Sequence, residues 1–458
     1  MPPLLLKTER HKYHLSQSKI ARLVHVHPAT VSQWEAGKVK MPGDIAARLN
    51  DIFSKMNDTT AEQVLIDSGL RVYRQKRHDI PGTAAPGPRR QKAAAERIDS
   101  VNNLKKITLD PAKPKAIALF AGCGGMSAGL KASGFQVVGY AEIEPAFRDV
   151  YAANFTNTAL LGSDVCDITN DELAAWKQVA GDIDLLAGGP PCQGFSLAGK
   201  RDVMDPRNRL YVDYIRIAEH LKPKVVLMEN VRLLLTMRTP DGTPVHEDIQ
   251  KRFTAIGYTV QLKTINAKQY GVPQSRERVV FMAVRNDIGK QPHIPEPTHA
   301  AAGNAQNLPA YRTFKDATHD LEPLESGQKS ASDPLHFAIV HPDKVIDMLR
   351  SIPEGDSAHN HPDPHKRPTS GFNTTYKRIA WDEPSSTITT NFSMISGSRN
   401  VHPTNTRSLT IREAARCQTF PDDFIFVGKL SAIRAAIGNA VPPLLAQKLG
   451  EAVKQIIG

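Results

Sequence analysis

The sequence predicts an α/β protein in which a parallel sheet is wrapped by helices and preceded by a small all-α domain. Three observations support this. From Lys115 onward, short apolar runs alternate with helical stretches, the pattern of strands buried on both faces with helices between them. The first of those runs leads into a glycine-rich turn, Gly122-Cys123-Gly124-Gly125, as nucleotide-binding sheets do. Residues 1–70, by contrast, carry only short helical signals.

The 458 residues are 40% hydrophobic and 23% charged, enough to bury a sizeable core over two to four domains. No stretch approaches the roughly 18 consecutive apolar residues of a membrane span. The opening Met1-Pro2-Pro3-Leu4-Leu5-Leu6-Lys7 is too short for a secretory core, so a soluble, cytoplasmic protein is expected. Four cysteines without Cys-x-x-Cys spacing make neither a disulfide framework nor a zinc ribbon, and no metal is expected. Residues 1–115 carry 21 of the 58 Lys+Arg but only 11 of the 47 Asp+Glu, so the +11 formal charge sits almost wholly in that quarter. Such a field points to nucleic acid, although a basic arm would look the same.

Within residues 1–70, Leu15–Val24 has apolar residues at helical spacing with Ser16 as N-cap. After a short turn, Pro28 opens a second helix that Gly37 ends. Ile20, Ala21, Val26, Val31 and Trp34 can share a small core. This resembles a repressor-type helix-turn-helix, whose second helix enters the major groove. The resemblance makes His27, Thr30, Ser32 and Gln33 candidate DNA contacts, with Lys38 and Lys40 near the backbone. A helical hairpin that only packs on the rest of the chain is the bland alternative. Residues 71–112, with Pro81-Gly82 and Pro86-Gly87-Pro88-Arg89-Arg90, read as a basic flexible linker.

Strands are expected over 116–120, 136–141, 183–187, 225–228, 259–265 and 279–284. Helices are expected over 145–154, 207–221 and 245–256. Glycines after the first strand allow backbone to approach a ligand, and Phe120 can pack against a cationic or aromatic group. Glu142 ends the second strand, where a carboxylate meets ribose hydroxyls. Asp164 follows the next expected strand and suits an adenine amino group. The spacing lacks the Gly-x-Gly-x-x-Gly that fits a pyrophosphate, so the cofactor reads as a nucleoside without one. The ordinary alternatives are a surface acid for Glu142 and a small packing residue for Cys123.

Ile183–Ser196 is the most specific stretch. A buried strand runs into Gly188-Gly189-Pro190-Pro191, which fixes the backbone and presents Cys192, a candidate nucleophile. Residues 194–206 form a polar, basic loop. Glu229 ends the strand 224–228 at the carboxyl edge. Arg276 and Arg278 open another strand and should point the same way, since side chains repeat every two residues. Gly438-Asn439-Ala440-Val441-Pro442 precedes a last helix. Each alone has an ordinary reading: an exposed acid, a strand-edge ion pair, a helix cap. Residues 286–406 are Pro-, His- and Ser-rich with few clear elements, and helices are expected again over 408–416 and 440–457.

Taken in order, these motifs resemble the cytosine-C5 DNA methyltransferases across residues 115–458. The resemblance implies a Rossmann-like sheet dependent on S-adenosylmethionine, with a catalytic domain over 113–285, a target-recognition domain over 286–406, and a C-terminal part over 407–458 that completes the catalytic domain. It places the cofactor on Phe120, Gly122, Gly124, Glu142, Asp164, Pro191 and Asn439. It makes Cys192 the nucleophile, Glu229 the acid, and Arg276 and Arg278 the substrate-holding arginines. Gln193 and Ser196 become DNA contacts, and Thr387, in Pro384–Thr390, supports the flipped nucleotide's backbone. Arg412–Arg416 resembles the helix that supports the recognition domain. Two departures are Ala118, where an aspartate is common, and Ile143, where an aromatic is common.

The implied activity is site-specific methylation of cytosine C5 in double-stranded DNA by base flipping, as part of a bacterial restriction-modification system with a companion endonuclease. The protein would work at the nucleoid, and residues 1–70 would bind its own promoter's operator. An RNA cytosine methyltransferase and a DNA-binding regulator are the rivals. A dinucleotide oxidoreductase is disfavoured by the glycine spacing. His359, His361 and His365 read as a solvated loop rather than a metal site. The recognition sequence and the base that removes the C5 proton are not legible.

Overall fold

In a computed structural model the chain divides into two compact units, Met1–Ala85 and Pro86–Gly458. The structure describes Leu6, Thr8, Glu9, Ile20 and residues 28–58, 101–191, 210–369 and 374–458.

In the first unit, α1 (Pro28–Glu35) is followed by α2 (Gly43–Asp58). Pro28 suits a first helical turn, where its missing N–H costs no intrahelical bond. Val31 and Trp34, three residues apart, lie on one face, and both are buried, as are Leu6, Ile20, Leu49 and Phe53. Gly37 takes a left-handed φ of 67° just beyond α1, as the sequence suggests. Ser32, Gln33, Lys38 and Lys40 are exposed and Thr30 is half-buried. Of the expected first helix, only Ile20 lies within the described residues; Ser16, Ala21, Val26 and His27 lie outside them.

The second unit is built on β1 (Lys115–Leu119), α3 (Gly125–Ala132), β2 (Gln136–Ala141), α4 (Pro145–Asn154), β3 (Ala159–Gly162), α5 (Asn170–Ala180), β4 (Leu185–Gly188), α6 (Leu210–Leu221), β5 (Val225–Val231), α7 (Val245–Ala255), β6 (Tyr258–Asn266) and β7 (Glu277–Arg285). The sheet order is β3-β2-β1-β4-β5-β7-β6. Side chains alternate across it: Ala116, Leu185, Val225 and Val280 enter one core, and Ile117, Leu186, Val226 and Phe281 the other. Burial on both faces explains why these strands read as unbroken apolar runs.

The sheet is not wholly parallel. β7 runs antiparallel to both β5 and β6. Only residues 267–276 join β6 to β7, too few for a parallel crossover with its helix.

The expected linker also ends early. Residues 101–106 are helical, Leu104 is buried in the core shared by β1 and α5, and the Asp110 amide donates to Gln136 Oε1 at 2.8 Å. Apolar residues at 101, 104, 107 and 109 tie this stretch to the sheet instead of leaving it free.

Residues 286–406 hold short elements, including α8 (Phe314–Thr318) and α9 (Asp343–Arg350). They are not a separate globule. Phe314, Ile379, Ile388 and Phe392 enter the same core as the sheet, while Leu349, Ile352, Ala358, Ile395 and Val401 form a small cluster of their own. His361 is buried rather than solvated, and its Nδ1 accepts from the Asp363 amide at 2.9 Å.

The chain returns through α10 (Ile411–Cys417), α11 (Leu430–Asn439) and α12 (Pro443–Ile457). α12 starts three residues later than expected because Pro442-Pro443 suits a first turn and not a helix interior; α11 is not among the expected helices.

The N-terminus of α10 is a buried polar knot. Arg407 donates to both Glu413 oxygens at 2.8 Å, and Glu413 closes a capping box with Thr410. His402 Nε2 lies 3.7 Å from Glu413. Burial would raise the Glu413 carboxyl, but Arg407 overrides it and holds it at about 2. Burial pushes His402 down to about 4.

An unfolded histidine protonates near 6.5 while the folded His402 stays neutral to about 4. Stability should therefore be full above about 6.5 and fall as pH drops towards 4, by up to about 3 kcal/mol. The Glu413 contribution is present above the ordinary 4.5 and is lost as pH falls towards about 2. His402→Gln should remove the first of these losses, so that its urea midpoints at pH 7.5 and pH 5 lie closer together than those of the wild type. An unchanged gap would refute the assignment.

Candidate active site at the carboxyl edge of the sheet

The order of strand addition reverses between the parallel neighbours β1 and β4, and ligands of such sheets collect at the carboxyl ends beside that point. A cleft of about 750 Å³ lies there, lined from Phe120, Glu142, Asp164, Pro190, Glu229 and Asn439 among others. Gly122, Pro191, Arg276 and Arg278 also line it.

One end is built by the turns after β1, β2 and β3. Phe120 leaves β1 with a left-handed φ of 52°, and Gly122 follows with 56°; strain of this kind in a non-glycine residue clusters at functional sites. This is why β1 stops at Leu119, one residue before the expected end. Glu142 is buried, and its two oxygens accept from the amides of Gly122 and Glu144, each at 2.8 Å. Burial raises its pKa. Asp164 Oδ1 accepts from the Cys166 amide at 3.0 Å, which orients the carboxylate in its turn. Gly124 does not line the cleft: it precedes α3 with φ 100°, and a Cβ there would strike Phe155 at 2.3 Å. Cys123 is buried and donates to the Ala436 carbonyl at 3.5 Å, a packing residue whose thiol burial pushes up to about 12.

The other end is built by β4, β5 and β7. A Cβ on Gly188 would meet the Leu119 carbonyl at 2.3 Å, and one on Gly189 would meet Glu229 Oε2 at 2.9 Å. These glycines let the end of β4 press against both neighbours. Glu229 Oε1 receives Arg278 Nε at 2.7 Å, with both side chains largely buried. Among the described residues, Oε2 has no hydrogen-bond partner. The next residue, Asn230, donates from Nδ2 to the Pro190 carbonyl at 2.8 Å and accepts the Val231 amide at 2.9 Å. Asn230 thus fastens the proline pair to β5. It escaped the sequence reading as a site residue although it stands inside the Glu-Asn-Val motif. Cys192, Gln193 and Ser196 lie outside the described residues; Pro191, directly before Cys192, is within the cleft wall.

Arg276 and Arg278 do not act alike. Arg276 is 2% exposed, and donates to the Ile388 carbonyl at 3.1 Å and the Gly438 carbonyl at 3.0 Å. Burial, and then the nearby Arg278 cation, depress its pKa, although a guanidinium stays charged in proteins. Two of its nitrogens are thus spent on protein carbonyls, while its buried Nε has no hydrogen-bond partner among the described residues. Both arginines line the cleft, although β7 starts only at Glu277.

Gln274, fully buried, joins the same hub. Its amide accepts from the Ile388 N–H at 2.9 Å and donates to Gln418 Oε1, also at 2.9 Å. Thr387 Oγ1 donates to the Ser275 carbonyl at 2.8 Å, so this threonine lies against the arginine-bearing segment. The exposed Asn439, at the end of α11, lines the cleft beside it.

Comparison with known proteins points the same way. A model of the C-5 cytosine-specific DNA methylases matches residues 115–455, and a helix-turn-helix model matches residues 6–53. The chain is 37% identical over 340 residues to Type II methyltransferase M1.HphI of Haemophilus parahaemolyticus, covering 74% of this chain and 86% of that one. It is 32% identical over 375 residues to Type II methyltransferase M.DdeI of Desulfomicrobium norvegicum, covering 74% and 88%. Among solved structures, a DNA modification methyltransferase encoded within a prophage in E. coli shares the fold. That match has a TM-score of 0.59 and 23% identity, and covers 75% of this chain and 99% of that one.

Proposed function

The chain belongs to the C-5 cytosine-specific DNA methylase family, and on that footing we propose that it methylates cytosine C5 at a specific site in duplex DNA by flipping the base and attacking it with Cys192. The observation that carries this reading is the Glu229–Arg278 pair, fixed beside the Pro190-Pro191 that deliver Cys192.

The methyl donor of this enzyme family is S-adenosylmethionine, and the residues fit it. Glu142 offers a buried carboxylate at the end of β2 for ribose hydroxyls. Asp164 offers an oriented acceptor for an adenine amino group, and the exposed Asn439 amide faces the cleft. When bound, the donor supplies an electrophilic methyl group on a sulfonium.

The remaining chemistry falls to the chain. C5 of cytosine is a poor nucleophile while the ring is aromatic. The Cys192 thiolate forms a bond to C6, the 5,6 double bond opens, and N3 takes a hydrogen bond or proton from Glu229. Arg278 holds one Glu229 oxygen and so aims the other at the base. The opened double bond leaves C5 able to accept the methyl group that the bound donor would supply. Loss of the C5 proton restores the double bond and expels the thiolate. None of these atoms is reachable in a stacked duplex, so the base must leave it at a cost of a few kcal/mol. Residues 286–406 would repay that cost by reading the target, with Thr387 supporting the nucleotide's backbone and Gln193 and Ser196 meeting the DNA beside it. Arg276, with Arg278, would hold the flipped base, and it also keeps the recognition segment and the Asn439 loop in register.

The named relatives are Type II methyltransferases, which supports a place in a restriction-modification system, with a cytoplasmic location to match. No described helix is long and apolar enough to cross a membrane. The helix-turn-helix match over residues 6–53, with exposed Ser32 and Gln33 on α1, supports a second DNA contact, at an operator upstream of the protein's own gene.

Cys192→Ala should abolish transfer of labelled methyl groups to DNA while cofactor binding persists in calorimetry; normal turnover would refute the nucleophile. For the operator, the full-length protein should retard upstream DNA over random DNA at moderate salt, and Thr30→Ala/Gln33→Ala should lose that preference without losing methyl transfer. Equal retardation of both DNAs by the unmutated protein would sink the operator reading.

A further inference from the structure

The geometry points to Arg216 and Asp213 on α6 as positioning residues that set the adenine end of the cofactor cleft and its selectivity for the exocyclic amino group. This inference rests on the reading that Asp164 accepts from that amino group.

The loop after β3 is short and carries Asp164, Val165 and Cys166 into the cleft wall. Its own hydrogen bonds are few: the Cys166 amide to Asp164 Oδ1 at 3.0 Å and the Asp167 amide to the Asp164 carbonyl at 3.0 Å. What pins the loop from outside is α6. Arg216 reaches across and donates to the Val165 carbonyl at 3.0 Å and the Ile168 carbonyl at 2.9 Å, the two ends of the stretch that follows Asp164. A further donor meets Asn170 Oδ1 at 3.2 Å. Its Nε is held by Asp213 Oδ1 at 3.2 Å. The second Asp213 oxygen accepts from Cys166 Sγ at 3.4 Å.

One ion pair on a single helix face therefore grips the loop at three points. The guanidinium fork suits this, since its planar donors can serve two carbonyls while Nε stays on a carboxylate. Both side chains are about 30% exposed or less, so the grip is partly shielded from water. Leu210, the first residue of α6, lines the cleft itself, so the same contacts hold the loop against α6 and fix the width of the slot between Val165 and Leu210. Neither Arg216 nor Asp213 lines the cleft, so neither is a contact of the reacting groups; they act through the orientation of Asp164. A carboxylate aimed at an amino group discriminates strongly against an analogue with a carbonyl at that position, because two acceptors then face each other.

The test uses the full-length enzyme with S-adenosylmethionine and with S-inosylmethionine, in which the amino group is replaced by a carbonyl oxygen. The unmutated enzyme should prefer the adenosyl donor in kcat/KM. Arg216→Met should raise KM for that donor by about tenfold, leave kcat at saturation within about twofold, and shrink the preference by about tenfold. Asp213→Ala, which keeps the arginine, should move the same quantities in the same direction. A merely structural role would lower thermal stability and act alike on both donors. If the unmutated enzyme shows no preference, the Asp164 reading fails and this inference falls with it. If the preference exists and both variants keep it in full, the inference alone is overturned.

Discussion

The whole site depends on how closely the end of β4 presses against β5. A Cβ on residue 189 would come within 2.9 Å of Glu229 Oε2, and on the β1 side one on residue 188 would come within 2.3 Å of the Leu119 carbonyl. Two glycines therefore make the approach possible, two prolines stiffen the chain just after them, and the Asn230 amide ties the Pro190 carbonyl to β5. A carboxylate, its arginine partner and the residues that lead into Cys192 are thereby brought to one edge without a flexible element between them. Any side chain at position 189 would push Glu229 Oε2 out of its present place.

A second constraint ties distant parts of the chain to that edge. Gln274 and Arg276, just before β7, bond to the segment around Ile388, to Gln418 after α10 and to Gly438 at the end of α11. Residues 286–406 share a core with the sheet, and their register against it is fixed by this buried polar hub. Networks of this kind are costly when broken, because each lost partner leaves a buried group unpaired. The knot of Arg407, Glu413 and His402 does the same for α10. Residues 286–406 and the cleft can then share one frame.

Much of this was legible in the sequence. The strands were found because burial on both faces writes an unbroken apolar run. Glu142, Asp164, Glu229 and Arg278 were found because they stand at strand ends or in distinctive motifs, and the structure gathers them in one cleft. The direction of β7 was not legible from hydropathy, since a strand buried on both faces has the same composition whichever way it runs; the ten-residue connection was the available signal. That Arg276 also binds the Ile388 and Gly438 carbonyls was not legible, because those partners stand more than a hundred residues away in the chain. α11 was overlooked because Lys429 at its N-cap gives no side-chain cap. The packed stretch 101–112 was absorbed into the linker because its charges and Pro111 outweighed four spaced apolar residues.

The proposed reaction centres on a transient carbon–sulfur bond between Cys192 and the pyrimidine. Replacing cytosine by 5-fluorocytosine blocks the proton loss that would break it. DNA amplified with 5-fluorodeoxycytidine, incubated with the protein and S-adenosylmethionine, should yield a conjugate that survives denaturing electrophoresis and maps by peptide mass to Cys192. A polypeptide that always runs free of the DNA, or a conjugate at Cys123, Cys166 or Cys417, would contradict the account.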